Sequence, residues 1–358
     1  MNNIAYFISP HGLGHAARSA AVMEAIHGIN PSVRFEIFTT VPRRFFDESL
    51  KGFFHYHEIL TDIGLAQNDA FKENIPETVK RLDALLPFDE KMINVYADKV
   101  KNCECKLVIC DIAPMGILVA KKAGIPSLLI ENFTWDWIYE TYCYETPELK
   151  KHALYLAEKF AEATYHIRTQ PFCGETSADL LTNPVSRPSR FSMKETRGKL
   201  GINVSSNMVL ISLGGIAEEH KFLDRLLQYS DVIFVLSGAT DKIEIRDNLI
   251  LLPPHTDIYH PDLVRASDCV VGKVGYSTVA EVYQAGVPFA YLGRKLFRET
   301  KPLMAFIEKE ISSIQIGLNE FRSGDWTKQL PDLLSLRRQK RTTKNGCREI
   351  ADFIQERL

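Results

Sequence analysis

Two glycine-flanked clusters carry side chains suited to chemistry. The first is Pro10-His11-Gly12-Leu13-Gly14-His15-Ala16-Ala17, which fits G-x-G-x-x-A between an apolar run and an alanine-rich segment. Glycines there let the backbone approach a ligand, and the helix start offers free N–H groups to an anion. His15 falls at that helix start, on the sheet edge where open α/β folds bind ligands. A neutral imidazole so placed can take a proton from an attacking hydroxyl, or it can merely hydrogen-bond the loop. His11 and His15 have no third partner that would make a metal site. A dinucleotide site usually has Asp or Glu about 20 residues on, ending the second strand. Here that strand ends in Thr39-Thr40, with Glu36 inside it, which argues against NAD.

The second cluster is Gly272-Lys273-Val274-Gly275-Tyr276-Ser277-Thr278-Val279-Ala280-Glu281. The N–H groups after Gly275 and the Ser277 and Thr278 hydroxyls suit a diphosphate. Glu281, one turn on, can accept both hydroxyls of a ribose. The same pattern also describes an ordinary capped helix with a surface glutamate. Ser212-Leu213-Gly214-Gly215 is either a turn beside the same phosphates or only a tight turn. In Asn132-Phe133-Thr134-Trp135-Asp136-Trp137, indoles around an acid can stack on a sugar and bond its hydroxyls, or can belong to the core. No D-x-D occurs, so diphosphate binding would rest on helix dipoles and backbone donors rather than a divalent metal.

The elements that must position these residues alternate. Ile4–Ile8 is a strand, Ala16–Ile26 a helix and Arg34–Thr39 a strand. Lys106–Cys110, Ile112–Ala123 and Ser127–Ile130 repeat the pattern, and Leu149–Ala163 is helical. A proline-rich stretch, 182–190, reads as a linker. The alternation restarts with strands at Met208–Leu213, Val232–Leu236, Leu249–Leu252, Cys269–Val271 and Phe289–Leu292, and helices at His220–Gln228 and Thr278–Gln284. This predicts two parallel sheets with helices on both faces. Expected domains are 1–183, joined by a last helix in 345–358, and 194–344, with 184–193 between. The basic run Arg337–Lys344 reads as a solvated helix face rather than an anion-binding dock.

Composition bounds the rest. The chain has 358 residues, 45% hydrophobic and 25% charged, with 43 basic against 45 acidic side chains. That implies about two globular domains and no global attraction to nucleic acid. No apolar stretch reaches the ~18 residues of a spanning helix, and the N-terminus does not read as a signal peptide. The seven scattered cysteines fit reduced thiols in a cytoplasmic protein.

Two serial α/β domains with these motifs resemble the GT-B fold of nucleotide-sugar glycosyltransferases. The segments HGLGHAARSAAVMEAI, LVICDIAPMGILVAKKAGIPSLLIENFTWDWIYE and HPDLVRASDCVVGKVGYSTVAEVYQAGVPFAYLGR resemble the N-terminal glycosyltransferase-like domain of plant L-arabinokinases and its stand-alone bacterial relatives. More distantly the chain is similar to the bacterial lipid I N-acetylglucosaminyltransferase and to a UDP-sugar hydrolase. The resemblance implies that His15 is the base, that Gly275, Tyr276 and Ser277 hold the diphosphate, and that Glu281 holds the ribose. It also implies that Pro254 and His255 meet the base and Arg298 and Glu299 the sugar.

The combined expectation is an inverting, metal-independent transferase without cofactor. It would move a sugar from a UDP- or dTDP-linked donor to a hydroxyl of a saccharide, glycolipid or small molecule. His15 and Asp111 are the expected catalytic pair. Gly14, Gly214, Gly215 and Thr278 join the diphosphate site, and Asn132, Trp135 and Asp136 line the acceptor side. Domain closure around the linker would exclude water. Membrane contact would be peripheral at most. The alternatives are a nucleotide-sugar hydrolase or epimerase, and a non-catalytic sensor.

Overall fold

The computed structural model describes residues 3–69, 71–174, 177–213, 222–254, 256–294 and 296–358. The chain divides into two compact units. Unit 1 comprises Met1–Asn68, Lys72–Ser186 and Lys344–Leu358, and unit 2 comprises Asp69–Phe71 and Arg187–Thr343.

Unit 1 is built on a seven-stranded sheet. Its strands are β1 (Asn3–Ile8), β2 (Arg34–Thr39), β3 (Phe54–Glu58), β4 (Cys105–Asp111), β5 (Ser127–Glu131), β6 (Tyr165–Thr169) and β7 (Leu180–Thr182). They lie in the order β3-β2-β1-β4-β5-β6-β7, with every pairing parallel. The order reverses between β1 and β4, where Ile8 stands opposite Asp111. Such a switch point opens a crevice at the carboxyl ends of the strands. Helix α1 (Gly14–Ile29) follows β1 and is lined with small residues. Ala16, Ala20 and Ala21 let it settle into a core shared with α1's neighbour, the last helix Gly346–Gln355. Gly346 is required there, because a Cβ would lie 2.1 Å from the Asn183 carbonyl oxygen.

Unit 2 repeats the plan with β8 (Asn207–Ser212), β9 (Val232–Ser237), β10 (Glu244–Arg246), β11 (Leu249–Leu252), β12 (Cys269–Lys273), β13 (Phe289–Leu292) and β14 (Ser313–Gln315). The order is β10-β11-β9-β8-β12-β13-β14, and only the edge strand β10 is antiparallel. Met208 and Leu210 enter one core while Val209 and Ile211 enter another. That period of two places helices on both faces.

The structure departs from expectation in several places. Strands β3, β6, β7, β10 and β14 are not legible in the sequence reading. The expected helix His220–Gln228 is a single turn, Leu223–Leu226, within the described residues. The basic run 337–344 is largely exposed, as expected, but it is not a helix. Arg338 donates to the carbonyls of Arg265 and Ser267 and Arg341 to that of Tyr283. Both cations thus serve the C-terminal ends of helices, where carbonyls lack internal partners.

Candidate functional site

In unit 1 the chemistry gathers at the carboxyl end of β1. Gly12, at φ +71°, turns the chain into α1. The turn leaves Gly14 at the helix start and His15 one residue inside it. His15 Nδ1 lies 3.0 Å from Asp111 Oδ1, with His15 8% exposed and Asp111 fully buried. Arg18, one turn along α1, grips the same carboxylate: Nη2 is 2.6 Å from Oδ1 and Nε 2.8 Å from Oδ2. Ser19 Oγ adds a contact at 3.3 Å. Burial opposes ionisation of Asp111, but the Arg18 charge and these hydrogen bonds outweigh it and hold the carboxyl below its usual range. An ionised carboxylate can only accept, so His15 donates from Nδ1. Its lone pair is then on Nε2, the arrangement a general base needs.

His11 is tautomerised the other way. Its Nδ1 accepts from the Leu65 N–H at 3.3 Å, which leaves the proton on Nε2. Gly64, at φ +59°, makes this possible, since a Cβ would stand 2.6 Å from that of His11. Trp135 forms the floor, its ring 4.9 Å from His11 and 6.1 Å from His15.

Two acceptor-side expectations are corrected here. Trp135 is fully buried among His11, His15, Phe133 and Tyr139. Its faces are covered, and it supports the histidines rather than stacking on a sugar. Asn132 is also fully buried, its Oδ1 accepting from Arg18 Nη1 at 2.7 Å. It steadies the guanidinium instead of meeting an acceptor. Asp136 stays partly exposed, and burial raises its carboxyl pKa.

Two buried residues of this site escaped sequence reading. Arg18 had a signal: it is an isolated cation at i+3 from His15 in an otherwise small, apolar helical stretch. Asp62 had none. It follows β3 and accepts from Ser9 Oγ at 2.9 Å. Burial pushes its carboxyl up to about 8, with the Asp111 charge adding to the effect against hydrogen bonds from Ser9 and Thr61.

In unit 2, helix α2 (Tyr276–Ala285) starts after β12 with Gly275 extended as its N-cap and no side chain capping it. Ser277 is partly exposed, while Tyr276 and Thr278 are buried. Glu281 is buried and already engaged. Its Oε1 accepts from Arg187 Nε at 3.1 Å and Nη2 at 3.0 Å, and its Oε2 lies 2.8 Å from His260 Nδ1. His260 Nε2 in turn meets Ser212 Oγ at 3.1 Å. Burial opposes ionisation, yet the Arg187 charge and the His260 contact hold Glu281 below its usual range. A carboxylate offers about four acceptor positions, and three are occupied. The expectation that Glu281 accepts both hydroxyls of a ribose is therefore corrected: as it stands it has room for one. Pro254 is exposed beyond β11, Arg298 is partly buried and Glu299 is buried just before the helix Thr300–Glu310. Gly214, Gly215 and His255 lie outside the described residues. Among the described residues no group of three or more His, Cys, Asp or Glu is placed to hold a metal ion. Among the described residues no helix is long and apolar enough to cross a membrane.

Comparison with known proteins supplies independent constraints. Residues 2–293 match the family described as glycosyl transferase family 1. L-arabinokinase of Arabidopsis thaliana is 28% identical over 363 aligned positions, covering 98% of this chain but 34% of the relative. The chain thus spans about a third of that protein's length. Among solved structures, MurG of Acinetobacter baumannii aligns with TM-score 0.59 at 14% identity, covering 99% of this chain and 100% of that one. The kitacinnamycin glycotransferase aligns with TM-score 0.65 at 14% identity and 99% of both chains. UGT71G1 of Medicago truncatula, solved with UDP-glucose, aligns with TM-score 0.60 at 12% identity, covering 99% and 93%. With the two parallel sheets, these likenesses identify the fold as GT-B.

Proposed function

The chain belongs to glycosyl transferase family 1 and is a glycosyltransferase; on that premise we propose that it inverts the anomeric carbon of a UDP- or dTDP-linked sugar without a metal ion, with His15 as the base. The observation that carries this reading is the buried contact of His15 Nδ1 with the ionised Asp111 carboxylate, which leaves the Nε2 lone pair for a proton. In the proposed step Nε2 takes the proton of the acceptor hydroxyl as its oxygen bonds the anomeric carbon. The bond from that carbon to the diphosphate oxygen breaks, and a nucleoside diphosphate leaves. Asp111 then faces an imidazolium and stabilises it. The uncapped N–H groups after Gly275, with the Ser277 hydroxyl, suit the departing charge. The absence of a D-x-D pair from the sequence supports metal independence.

The test is a panel of nucleotide sugars with chelator present, following diphosphate release and thermal shift together. His15→Ala is expected to lower turnover by about 10²–10⁴-fold, the usual worth of a positioned base, while donor-induced stabilisation persists. Turnover unchanged in His15→Ala would remove the base assignment. Turnover that vanishes on chelation and returns with a divalent ion would remove metal independence.

A further inference from the structure

Arg18 is 1% exposed, and a guanidinium so placed needs matched partners, because its desolvation costs several kcal/mol. All of its contacts given above serve the surroundings of the base. Two reach Asp111, one reaches Asn132, and Nη2 also stands 3.4 Å from His15 Nδ1. An aspartate alone beside a histidine makes the ring more basic, since the carboxylate favours the imidazolium. The Arg18 fork alters that in two ways. It occupies both carboxylate oxygens and so fixes the plane in which Oδ1 meets His15. It also brings a positive charge next to the ring that must become cationic.

We propose that Arg18 is the positioning residue of the base: its fork locks the Asp111 carboxylate to receive the His15 Nδ1 proton, so that the lone pair stays on Nε2. This rests on the reading of His15 as the base. Among the described residues, Tyr6 on β1, Cys110 on β4 and Asp62 after β3 also feel the Asp111 charge, and His11 shares the Trp135 floor with His15. Burial pushes Tyr6, Cys110 and Asp62 upward and favours their neutral forms at neutral pH. Arg18 is thus the charge that opposes Asp111. The Nδ1 proton stays on His15 through the proposed reaction, because the fork keeps Asp111 too acidic to take it.

The experiment reads the ring nitrogens of His15 by ¹⁵N NMR in the full chain, assigned with His15→Ala, across a pH series. In the wild type the neutral ring should be the Nδ1–H tautomer. Arg18→Gln removes the fork, so the Nε2–H tautomer should gain population at the expense of Nδ1–H. Arg18→Lys keeps the charge but not the fork, so the second tautomer should gain population there too. Arg18→Gln with Asp111→Asn removes both buried charges and guards against a single variant that fails to fold. There the Nδ1–H form should no longer dominate. Dominance of the Nδ1–H form in the folded Arg18→Gln, Arg18→Lys and double variants, as in the wild type, would overturn the proposal. The readout needs no substrate, so it stands apart from loss of the base reading, which His15→Ala turnover decides.

Discussion

Asp62 and Asp111 are buried in the same site yet titrate in opposite senses. Asp111 has a guanidinium on both oxygens, whereas Asp62 has only hydroxyl and backbone donors and feels the Asp111 charge. An acid raised to about 8 in the folded state and near 3.9 unfolded holds an extra proton when folded across that interval. Its contribution to stability is therefore complete below pH ~4 and is lost as pH rises towards 8. Asp62→Asn removes the proton and the dependence. Thermal melts of variant and wild type should diverge with pH, the variant gaining on the wild type from pH 5 to pH 8. Each pH unit of displacement is worth about 1.4 kcal/mol. A pH-independent difference in melting would mean that Asp62 ionises in the usual range. His15 was legible because glycine spacing and a strand-to-helix junction announce it. Asp62 was not, because its chemistry comes from burial and from Asp111, 49 positions away in the sequence.

At the scale of elements, the strands that carry the site were readable and the flanking ones were not. The reason is physical. Glu36 sits buried in β2, and β3 answers it across the pairing with His55 and His57, each 2.6 Å from a carboxylate oxygen. Glu131 sits buried at the end of β5, and β6 answers with His166 and Arg168 at 2.8 Å. Each buried acid is compensated on the next strand, and that compensation breaks the apolar run by which a buried strand is recognised. Phe-His-Tyr-His-Glu and Tyr-His-Ile-Arg-Thr therefore do not read as buried strands. The last helix, by contrast, was foreseen near its true bounds. Its first residue, Gly346, lies against the Asn183 carbonyl, so Gly346→Ala should destabilise unit 1 by about 1–3 kcal/mol through overpacking. Denaturant unfolding would show this as a lower midpoint. An unchanged midpoint would mean that the Asn183 carbonyl yields without cost.

At the scale of the molecule, the two units have separate sheets and separate cores, and unit 1 is completed only by residues from the end of the chain. Cys347, Ile350, Ala351 and Ile354 cover the core that α1 also covers, so a chain ending at Thr343 exposes apolar surface in unit 1 alone. That truncation should lower the stability of unit 1 and leave the sheet of unit 2 intact. A nucleoside diphosphate assigned to the helix start after Gly275 should act on unit 2 alone. At a hundred times its dissociation constant, a ligand adds about 2.7 kcal/mol to the state that binds it. Hydrogen exchange in the truncated chain with and without UDP separates the two effects. Protection should fall in β1, β2 and α1 whether or not UDP is present, and should rise with UDP in β12 and α2. Loss of the UDP response on truncation would show that nucleotide binding needs an intact unit 1. The reading that unit 2 suffices to hold the nucleotide would then fall.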